Sequence, residues 1–455
     1  MRHLVQYRQM MMAAYAPHLK DIARYYTIPR AALSSASAFF YWEKIMPVSV
    51  YVILIVEALI ALGLMFAAGV LKDLRAWLIA AALTVLAFAL RGALLSYETL
   101  DYQNFLAVWV EWFRLNGGLR ALASPVGNYN VPYLTLLALF SGAQMPDLYW
   151  IKLISIFFDV VLAFSAMQIV GHFSDKPWRR GLTFFLVLFW PTVVLNGALW
   201  GQCDSIYSAL CLLGIWLLFA DKPWTGVAAM GAAFAFKLQA VFLLPMLLLF
   251  WIARKLKWYH LAVFPVVNVL LVLPAVLTGR GLWDSLTVGL QQTGSIGDAL
   301  NYNAPSLFAL FRHIYSTQSA SVLGIVLAAL VLAGLAMTVW HYRSVANDRV
   351  LLLCAVIMSI AVPFFLPHMH DRYFFCADMM TLLLACTELR LAPIALGCEF
   401  ASLLGYHAYL KTRYLLTMDY GATALILCLC WLTVLLVFEL RRCRKPDTAS
   451  DMLPT

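Results

Sequence analysis

Two carboxylates stand at the end of an apolar run, in the segment YETLDYQNF, where they could take part in proton transfer. Glu98 and Asp101 precede an amphipathic stretch that is rich in aromatic residues. A carboxylate beside an apolar surface can have a raised pKa and act as a general base. Either carboxylate could therefore take a proton from a substrate. Capping of the helix that follows is an equally simple role for Asp101.

The segment ALWGQCDSIY joins two apolar runs and carries three side chains suited to binding a sugar. Gln202 and Asp204 can hydrogen-bond hydroxyl groups, and Trp200 can offer an apolar face. We predict a sugar-binding role for these three residues. For Asp204 the alternative is a cap on the helix that begins there.

A lysine and a glutamine interrupt the long apolar run 225–253, in the segment AFKLQAVF. An ionisable group inside a membrane is costly, so Lys237 is predicted to serve a functional site, with Gln239 beside it. The alternative is that Lys237 extends its amine to the membrane surface. Because a polar break at this depth must face protein or water, the run is predicted to form a hairpin of two short helices.

The segment FFLPHMHDRYFF crowds ionisable side chains behind a proline. His368 and Arg372 are four positions apart and would share a helix face. These two residues could converge with Lys237 and His370 on an anion such as phosphate, because an arginine side chain can donate two parallel hydrogen bonds to it. A zinc site built on the two histidines lacks an obvious third ligand, so we expect no metal.

Two phrases of similar sequence recur in the chain, NYNVPYLTLLALF at 128–140 and NYNAPSLFALF at 301–311. Asparagine caps and a proline in the first turn both start helices, so each phrase is predicted to begin a helix at the membrane surface. Two independent helix starts and a shared role in substrate binding are both open. The candidate binding residues of these phrases are Asn128, Tyr129, Asn130, Asn301 and Asn303.

The elements that must position all these residues are membrane helices. The 455 residues are 63% hydrophobic and 12% charged, with a mean hydropathy of +0.82, which excludes a water-soluble protein. The apolar stretches predict an all-α integral membrane domain over residues 46–440, with about twelve or thirteen transmembrane helices. A basic tail, 1–45, precedes this domain and a cytoplasmic tail, 441–455, follows it. Asp159, deep in one span, is expected to have a structural role, such as pairing with a buried cation.

The distribution of charge predicts which loops lie outside. The net charge of +9 is assigned to cytoplasmic loops rather than to nucleic-acid binding. With Asp101 outside, two long external loops remain, at about 97–133 and about 279–317, and both are expected to carry amphipathic or re-entrant helices. The residues then placed in the cytoplasm are Lys72, Arg75, Lys176, Arg179, Arg180, Lys222, Arg254, Lys255, Lys257, Arg343, Arg349, Arg390, Arg441, Arg442, Arg444 and Lys445.

Because successive spans alternate in direction, the same arrangement leaves the basic N-terminal tail outside. This conflicts with the rule that basic segments stay in the cytoplasm. A membrane-dipping segment at Ala31–Trp42 would resolve the conflict, and so would an interfacial amphipathic helix. The sequence does not choose between them.

The chemical segments occur in a fixed order, DY..FL..W, GNYN.PYL, WGQ.DS, FK.Q and PHMHDRYF, across residues 98–380. This order resembles the GT-C superfamily of membrane glycosyltransferases, in particular bacterial relatives of the eukaryotic GPI second mannosyltransferase. The resemblance implies a multi-pass enzyme of the bacterial inner membrane with GT-C architecture and an outward-facing active site. It also implies an inverting transfer of a sugar from a polyprenyl-phosphate donor, with mannose favoured over glucose or another hexose.

The resemblance suggests a role for each candidate residue. Asp101 is the base that activates an acceptor hydroxyl, and Glu98 is its substitute. The departing phosphate is stabilised by Lys237, His368, His370 and Arg372. Sugar or other substrate contacts fall to Trp200, Gln202, Asp204, Gln239, Asn128, Tyr129, Asn130, Asn301 and Asn303.

The expected partners are the lipid-linked donor, a glycan or glycolipid acceptor of the cell envelope, and membrane lipid, with no nucleic acid. No cofactor is expected. No obligatory metal is expected either, because Glu98 and Asp101 are three positions apart rather than adjacent. The sequence has no G-x-G-x-x-G segment, which argues against a nucleotide-sugar donor.

A transporter or lipid flippase is the main alternative. Transporters place charges near the bilayer midplane and often contain inverted repeats. Here the charged segments collect at the outer ends of the helices, and the NYN phrase is the repeat that we find. A membrane acyl- or phosphotransferase would also use clustered histidine and carboxylate, but it gives no role to WGQ.D and FK.Q. Glycosyl transfer is therefore favoured.

Overall fold

A computed structural model describes residues 46–295, 299–311 and 317–444 of the chain. Within these ranges helices make up nearly all of the regular structure, and the two short strands, β1 Asn301–Tyr302 and β2 Met369–His370, pair in parallel. The all-α membrane class predicted from composition is therefore confirmed. The predictions for the N-terminal tail, including Ala31–Trp42, and for the chain after Arg444 fall outside the described residues.

The helices are numbered in chain order. They are α1 Val48–Ala67, α2 Leu74–Leu94, α3 Ala107–Leu115, α4 Val131–Phe140, α5 Asp147–Phe173, α6 Pro177–Phe189, α7 Pro191–Val194, α8 Asp204–Phe219, α9 Pro223–Phe236, α10 Met246–Ile252, α11 Val263–Leu277, α12 Leu282–Ser295, α13 Thr317–His341, α14 Asp348–Phe365, α15 Phe375–Thr387, α16 Ala392–Leu410 and α17 Met418–Arg444. Turns of π-helix cover Tyr102–Leu106 and Leu195–Trp200, and 3₁₀ turns cover Gly118–Ala123, Leu238–Phe242, Trp258–Ala262, Leu307–Ala309 and Leu389–Leu391.

Eight of the described helices are long and apolar enough to cross a membrane. A ninth span results if α6 and the segment Pro191–Trp200, which are bent by 48°, count as one. Hydropathy alone predicted about twelve or thirteen. The difference arises because some apolar runs form shorter helices, such as α8 with 16 residues and α15 with 13. Other helices surround these two, and a helix enclosed by protein can be apolar without matching the bilayer thickness.

The bundle has two chemically different ends. His172, near the end of α5, stacks on Phe219 at the end of α8, with ring centres 5.2 Å apart. Asp348, which begins α14, pairs with both His172 and Lys255, at 2.7 and 2.6 Å. We call this the basic end, because the loops predicted to be cytoplasmic gather there. Asp204, at the start of α8, lies at the opposite end, which we call the polar end.

The predicted hairpin is present between residues 223 and 252. α9 leaves the basic end, where Trp224 packs against Tyr259 and His260 with ring centres 5.9 and 4.7 Å apart. The helix stops before Lys237, whose backbone is extended, with φ −153° and ψ 133°. α10 then returns to the basic end. The break therefore places Lys237 at the polar end, beside the start of α8.

Both loops that were predicted to be external contain helices, as predicted. The first holds α3, which buries Trp109 and Phe113 and packs against α4. The second holds α12, which packs against α11 and α4. The amphipathic helices of the two loops therefore meet at α4, which links the loops to the bundle.

The two NYN phrases fold differently. In the first, Asn130 precedes α4 and Pro132 lies in its first turn, as predicted. For the second phrase the helix prediction is wrong, because Asn301–Tyr302 forms β1 and only a short 3₁₀ turn follows. The side-chain amide of Asn301 donates a hydrogen bond to the carbonyl of Ala304 and accepts one from the backbone N–H of Ala304, both at 2.8 Å. This local turn competes with the helix start that the sequence suggested.

A fully buried ion pair joins three helices below the polar end. Arg91 on α2 donates to Asp159 on α5 from Nε at 3.1 Å and from Nη2 at 2.9 Å. Ser205, in the first turn of α8, donates its hydroxyl to the other oxygen of Asp159. The structural role expected for Asp159 is therefore confirmed, and the buried cation that it pairs with is Arg91.

Candidate active site

Asp101 lies at the polar end with its carboxylate held by three side chains. Its Oδ2 atom accepts hydrogen bonds from Trp200 Nε1 at 3.0 Å and from Gln202 Nε2 at 2.7 Å. Arg372 Nη1 lies 3.9 Å from the same oxygen. The Asp101 side chain keeps 19% of its surface exposed, so a substrate hydroxyl can reach it. The predicted base therefore lies beside residues predicted to hold sugar and phosphate.

A buried lysine fixes the chain that leads to Asp101. Lys152 on α5 donates from Nζ to the carbonyls of Leu94, Leu95 and Tyr97, at 3.2, 3.0 and 2.6 Å. Carbonyls at a helix end lack partners within the helix, so the lysine satisfies groups that would otherwise be unpaired. The end of α2 and the following loop are thereby held in one conformation.

A sharp reversal between α7 and α8 places Trp200. Gly201 has φ +79°, a left-handed conformation that glycine adopts without strain. The buried ring of Trp200 stacks on Tyr409, with ring centres 4.1 Å apart and 13° between the planes. The Tyr409 hydroxyl accepts the backbone N–H of Asp101 at 3.2 Å. Trp200 and Tyr409 thus form a wall that fixes both the side chain and the backbone of Asp101.

Asp204 and Lys237 form a buried ion pair next to this wall. Lys237 Nζ lies 2.6 Å from Asp204 Oδ1, and Asn196 donates to Asp204 Oδ2 at 3.0 Å. The Asp204 side chain is fully buried and that of Lys237 is only 8% exposed. Lys237 is therefore paired inside the bundle and does not extend to the membrane surface. Cys203 is the N-cap residue of α8, and Asp204 lies in the first turn with its carboxylate bonded to Asn196 and Lys237.

Arg372 lies between three carboxylates. Its guanidinium nitrogens are 3.5 Å from Asp204 Oδ2, 3.9 Å from Asp101 Oδ2 and 3.7 Å from Asp371 Oδ1. These distances exceed those of ordinary hydrogen bonds, and the buried Nε has no hydrogen-bond partner among the described residues. The Trp200 ring supports the cation from one side, at 5.2 Å. Arg372 is therefore held in place with donors available for an anionic ligand.

Asp371 is a third carboxylate at this site, to which the sequence analysis gave no role. It is 4% exposed, and its Oδ1 has no hydrogen-bond partner among the described residues. Burial raises the pKa of Asp371 to about 8, with Arg372 acting in the opposite direction and the charges of Asp101 and Asp204 adding to the rise. At neutral pH this side chain is mostly protonated.

Of the first NYN phrase, Tyr129 contacts the cluster. Its hydroxyl donates to Gln202 Oε1 at 3.1 Å, and Lys237 Nζ lies 5.7 Å from its ring centre. Asn128 is exposed. Asn130 donates to a backbone carbonyl of α9 at 3.1 Å and lines a cavity of about 20 Å³, which has room for one water but not for a sugar.

Two further candidates have partners away from the cluster. Glu98 is exposed and accepts a hydrogen bond from Gln103 at 3.1 Å. Both ring nitrogens of His368 have partners, with Nδ1 2.8 Å from the carbonyl of Ala299 and Nε2 3.3 Å from the hydroxyl of Ser321. Glu98 and His368 therefore shape the rim of the site, and neither presents a free group to the centre.

Three of the remaining candidates, His370, Asn301 and Asn303, lie in or beside the strand pair that precedes Arg372. His370 stacks on Tyr302 with ring centres 4.7 Å apart, and burial lowers the pKa of His370 to about 3. A neutral histidine can donate a hydrogen bond to phosphate but brings no charge. Asn303 accepts the hydroxyl of Tyr414, and Asn301 closes the turn described above. Gln239 is buried in the 3₁₀ turn that follows the hairpin break.

The described residues contain no group of three His, Cys, Asp or Glu side chains arranged to hold a metal ion. The expectations of no metal and no cofactor remain predictions.

Sequence reasoning missed three members of the site, Asn196, Asp371 and Tyr409. Asn196 interrupts an apolar run, and Asp371 lies between His370 and Arg372, so both left a signal in the sequence. Tyr409 left none, because its bond to Asp101 joins residues 308 positions apart.

Comparison with models of known families identifies a match over the middle of the chain. The family model described as glycosyltransferase family 87 matches residues 129–367, more than half of the 455-residue chain. The match includes Tyr129, Trp200, Asp204 and Lys237, whereas Asp101 precedes it and Arg372 follows it. No curated protein matches the chain.

Proposed function

The chain belongs to glycosyltransferase family 87, and we propose that it transfers a hexose, with inversion, from a polyprenyl-phosphate donor to an acceptor hydroxyl at the polar end. The observation that carries this proposal is that Asp101, an accessible carboxylate, lies within 3.9 Å of Arg372. One cluster therefore offers a base for the acceptor hydroxyl and a cation for the donor phosphate, and the two groups must move apart when a sugar binds between them. Lys237 adds a second cation to the same cluster.

Asp101 acts as the base. It takes the proton of the acceptor hydroxyl while the oxygen attacks the anomeric carbon and the bond from that carbon to the phosphate oxygen breaks. Trp200 and Gln202 hold the accepting carboxylate in one orientation through their hydrogen bonds to Oδ2. The products are the new glycoside and the free polyprenyl phosphate.

Arg372 and Lys237 act on the leaving phosphate. The phosphate gains negative charge as the bond to the sugar breaks, so donors fixed in advance stabilise the transition state more than the ground state. Arg372 has unfilled donors for this charge, and the stack on Trp200 holds its plane. Lys237 contributes its positive charge from the adjacent ion pair, in which Asp204 holds its amine in position.

The distribution of charge supports an extracytoplasmic site. Cytoplasmic loops of membrane proteins are enriched in lysine and arginine. The basic end of this bundle is opposite to the cluster, so the cluster would face the outside of the cell membrane. A donor with a polyprenyl tail can reach such a site from within the bilayer, where no nucleotide sugar is available.

The sugar and the acceptor are proposed from the resemblance described above. Mannose is the favoured sugar, with glucose or another hexose as alternatives, and the acceptor is a cell-envelope glycan or glycolipid in the bacterial inner membrane. No observation favours a transporter, and Asp101, Asp204 and Lys237 gather with Arg372 at one end of the helices.

A panel of lipid-linked sugars tests this proposal. Purified protein in nanodiscs would be incubated with radiolabelled polyprenyl-phosphate mannose or polyprenyl-phosphate glucose and an envelope-lipid extract. We expect labelled product from one of the donors and an inverted anomeric configuration by NMR. Movement of label across vesicle membranes without a glycosylated product would contradict the proposal and support a flippase.

A further inference from the structure

A second cavity lies at the basic end, away from the catalytic cluster. It has a volume of about 480 Å³ and lies between α13, α14 and α17. Both α13 and α17 pack on α14, and Ile357 of α14 forms the floor of the gap between them. The volume is in the usual range for a site that binds a small ligand, about 300–1,000 Å³.

The lining of the cavity changes from apolar to basic along its length. Leu335 and Leu436 face each other across its apolar part. Tyr342 and Arg441 line the part nearest the basic end. Residues 331–342, at the end of α13 and just after it, take part, and at 1.5 Å per residue they span roughly 16 Å, about half of the hydrocarbon core of a bilayer. The cavity is therefore an apolar slot within one leaflet with a cation at its mouth.

Arg441 is a cation without an anionic partner among the described residues. The contrast with Arg349 at the same end is informative, because Arg349 pairs with both Glu388 and Glu439. Arg343, close to the mouth, lies over the ring of Trp340 at 4.2 Å. Glu439, on the same helix as Arg441, is therefore paired with Arg349, and the charge at the mouth of the slot is positive.

We propose that this cavity binds an anionic phospholipid of the leaflet at the basic end, with one acyl chain in the slot and the phosphate on Arg441. Basic pockets between transmembrane helices bind anionic lipid headgroups, and arginine matches the geometry of a phosphate. A zwitterionic lipid would bring its own cation to the mouth and lose much of this attraction. The site is separate from the donor site, which lies at the polar end.

The bound lipid would join α13 to the rest of the bundle. Only 22% of the apolar window of α13 is buried by protein, against 83% for α14. A ligand that fills the gap between α13 and α17 stabilises the folded protein by mass action. The effect is therefore measurable as lipid-dependent thermal stability, without reference to catalysis.

One variant would fill the slot. Gly334 lines the cavity, and a Cβ added there would meet no atom within 4 Å. Gly334→Leu therefore starts a side chain in the slot with no clash at its Cβ. The matched control is Gly63→Leu on α1, where an added Cβ also meets nothing within 4 Å and which is not part of the lining of this cavity.

A second variant would remove the charge. Arg441→Gln deletes the cation at the mouth, and Arg442→Gln removes a neighbouring charge that does not line the cavity. Native mass spectrometry of the full-length protein would count retained phosphatidylglycerol and phosphatidylcholine, and thermal unfolding would report the gain in stability.

We expect one retained phosphatidylglycerol per protein. Gly334→Leu and Arg441→Gln should lower its affinity by about tenfold or more, whereas the two controls should match the wild type. Equal retention of phosphatidylcholine would overturn the proposal, and so would equal effects of Arg441→Gln and Arg442→Gln. Displacement of phosphatidylglycerol by an equal amount of polyprenyl phosphate would also overturn it, because the slot would then belong to donor entry.

Discussion

Arg372 Nη1 and Asp101 Oδ2 face each other at 3.9 Å across the edge of the Trp200 ring. Trp200 connects the two, since its indole N–H donates to Asp101 while its ring supports the guanidinium. The distance is too long for a hydrogen bond, so neither group neutralises the other completely. The carboxylate can accept a proton, and the cation can bind a phosphate.

Replacement of Arg372 by lysine should lower the turnover of lipid-linked donor by about a hundredfold, in the range found for loss of one transition-state donor. Lysine keeps the charge but loses the planar fork and the stacking on Trp200. The measurement is kcat for transfer in nanodiscs. The matched control is Arg390→Lys in an exposed loop at the basic end, which should leave kcat unchanged. A wild-type rate for Arg372→Lys would mean that charge alone suffices.

The rate should fall above pH 8 because of Asp371. Burial holds the pKa of Asp371 at about 8, so the side chain is protonated at pH 7 and gains a negative charge as the pH rises through 8. That charge lies 3.7 Å from Arg372 and competes with the donor phosphate for it. A profile of kcat/KM between pH 6 and 10 should show an alkaline limb in the wild type.

Asp371→Asn provides the control for this pH dependence. Asparagine keeps an oxygen near Arg372 but does not ionise, so the alkaline limb should disappear while the rate at pH 7 changes little. Persistence of the limb in this variant would assign it to another group, among which Asp101, Asp204 and Arg372 face Asp371 most closely.

The pair of Asp204 and Lys237 should matter for both stability and transfer. Removal of one member leaves a buried charge alone, which costs about 3–5 kcal/mol. We expect Asp204→Asn and Lys237→Met to lower the thermal unfolding temperature separately, and the double variant to recover much of it. Transfer should stay low in the double variant, because a cation of the cluster is gone. Recovery of transfer with stability would make this pair purely structural.

For the pair of Arg91 and Asp159 we expect an effect on stability and no separate effect on transfer. The pair is also fully buried, but neither residue contacts Asp101 or Arg372. Arg91→Met alone should destabilise the protein by about 3–5 kcal/mol, and Arg91→Met with Asp159→Leu should restore both stability and transfer. Thermal unfolding and transfer measured on the same nanodisc samples check both parts. A stable but inactive double variant would show that this pair positions Asp204 through Ser205.

The sequence indicated which side chains belong to the cluster better than it indicated the contacts between them. Asp101 was selected because a carboxylate beside an apolar surface can act as a base, and Arg372 because ionisable side chains crowd its segment. Lys237 was selected because a charged group is expensive inside an apolar run. The break at Lys237 was predicted for the same reason. The contacts of Tyr409 and Arg91 were not predictable, because both join residues far apart in the chain and only the packing of helices brings them together.

The second NYN phrase shows where a local pattern fails. Asn130 and Asn303 have the same place in the two phrases, yet the first precedes α4 and the second follows β1. The difference is set by β2, which supplies a strand partner for Asn301 and Tyr302. The number of spans was overestimated for a related reason, since hydropathy does not distinguish burial in protein from burial in lipid.

Separate measurement of donor binding and sugar transfer in Asp101→Asn tests the central claim most directly. Radiolabelled polyprenyl-phosphate sugar would be bound to nanodiscs of the wild type, Asp101→Asn and Glu98→Gln, and the transfer to acceptor lipid followed in the same samples. We predict that Asp101→Asn binds donor as the wild type does but transfers at least about a thousandfold more slowly, whereas Glu98→Gln does both normally. Normal transfer by Asp101→Asn would contradict the account, and loss of transfer in Glu98→Gln alone would move the base to Glu98.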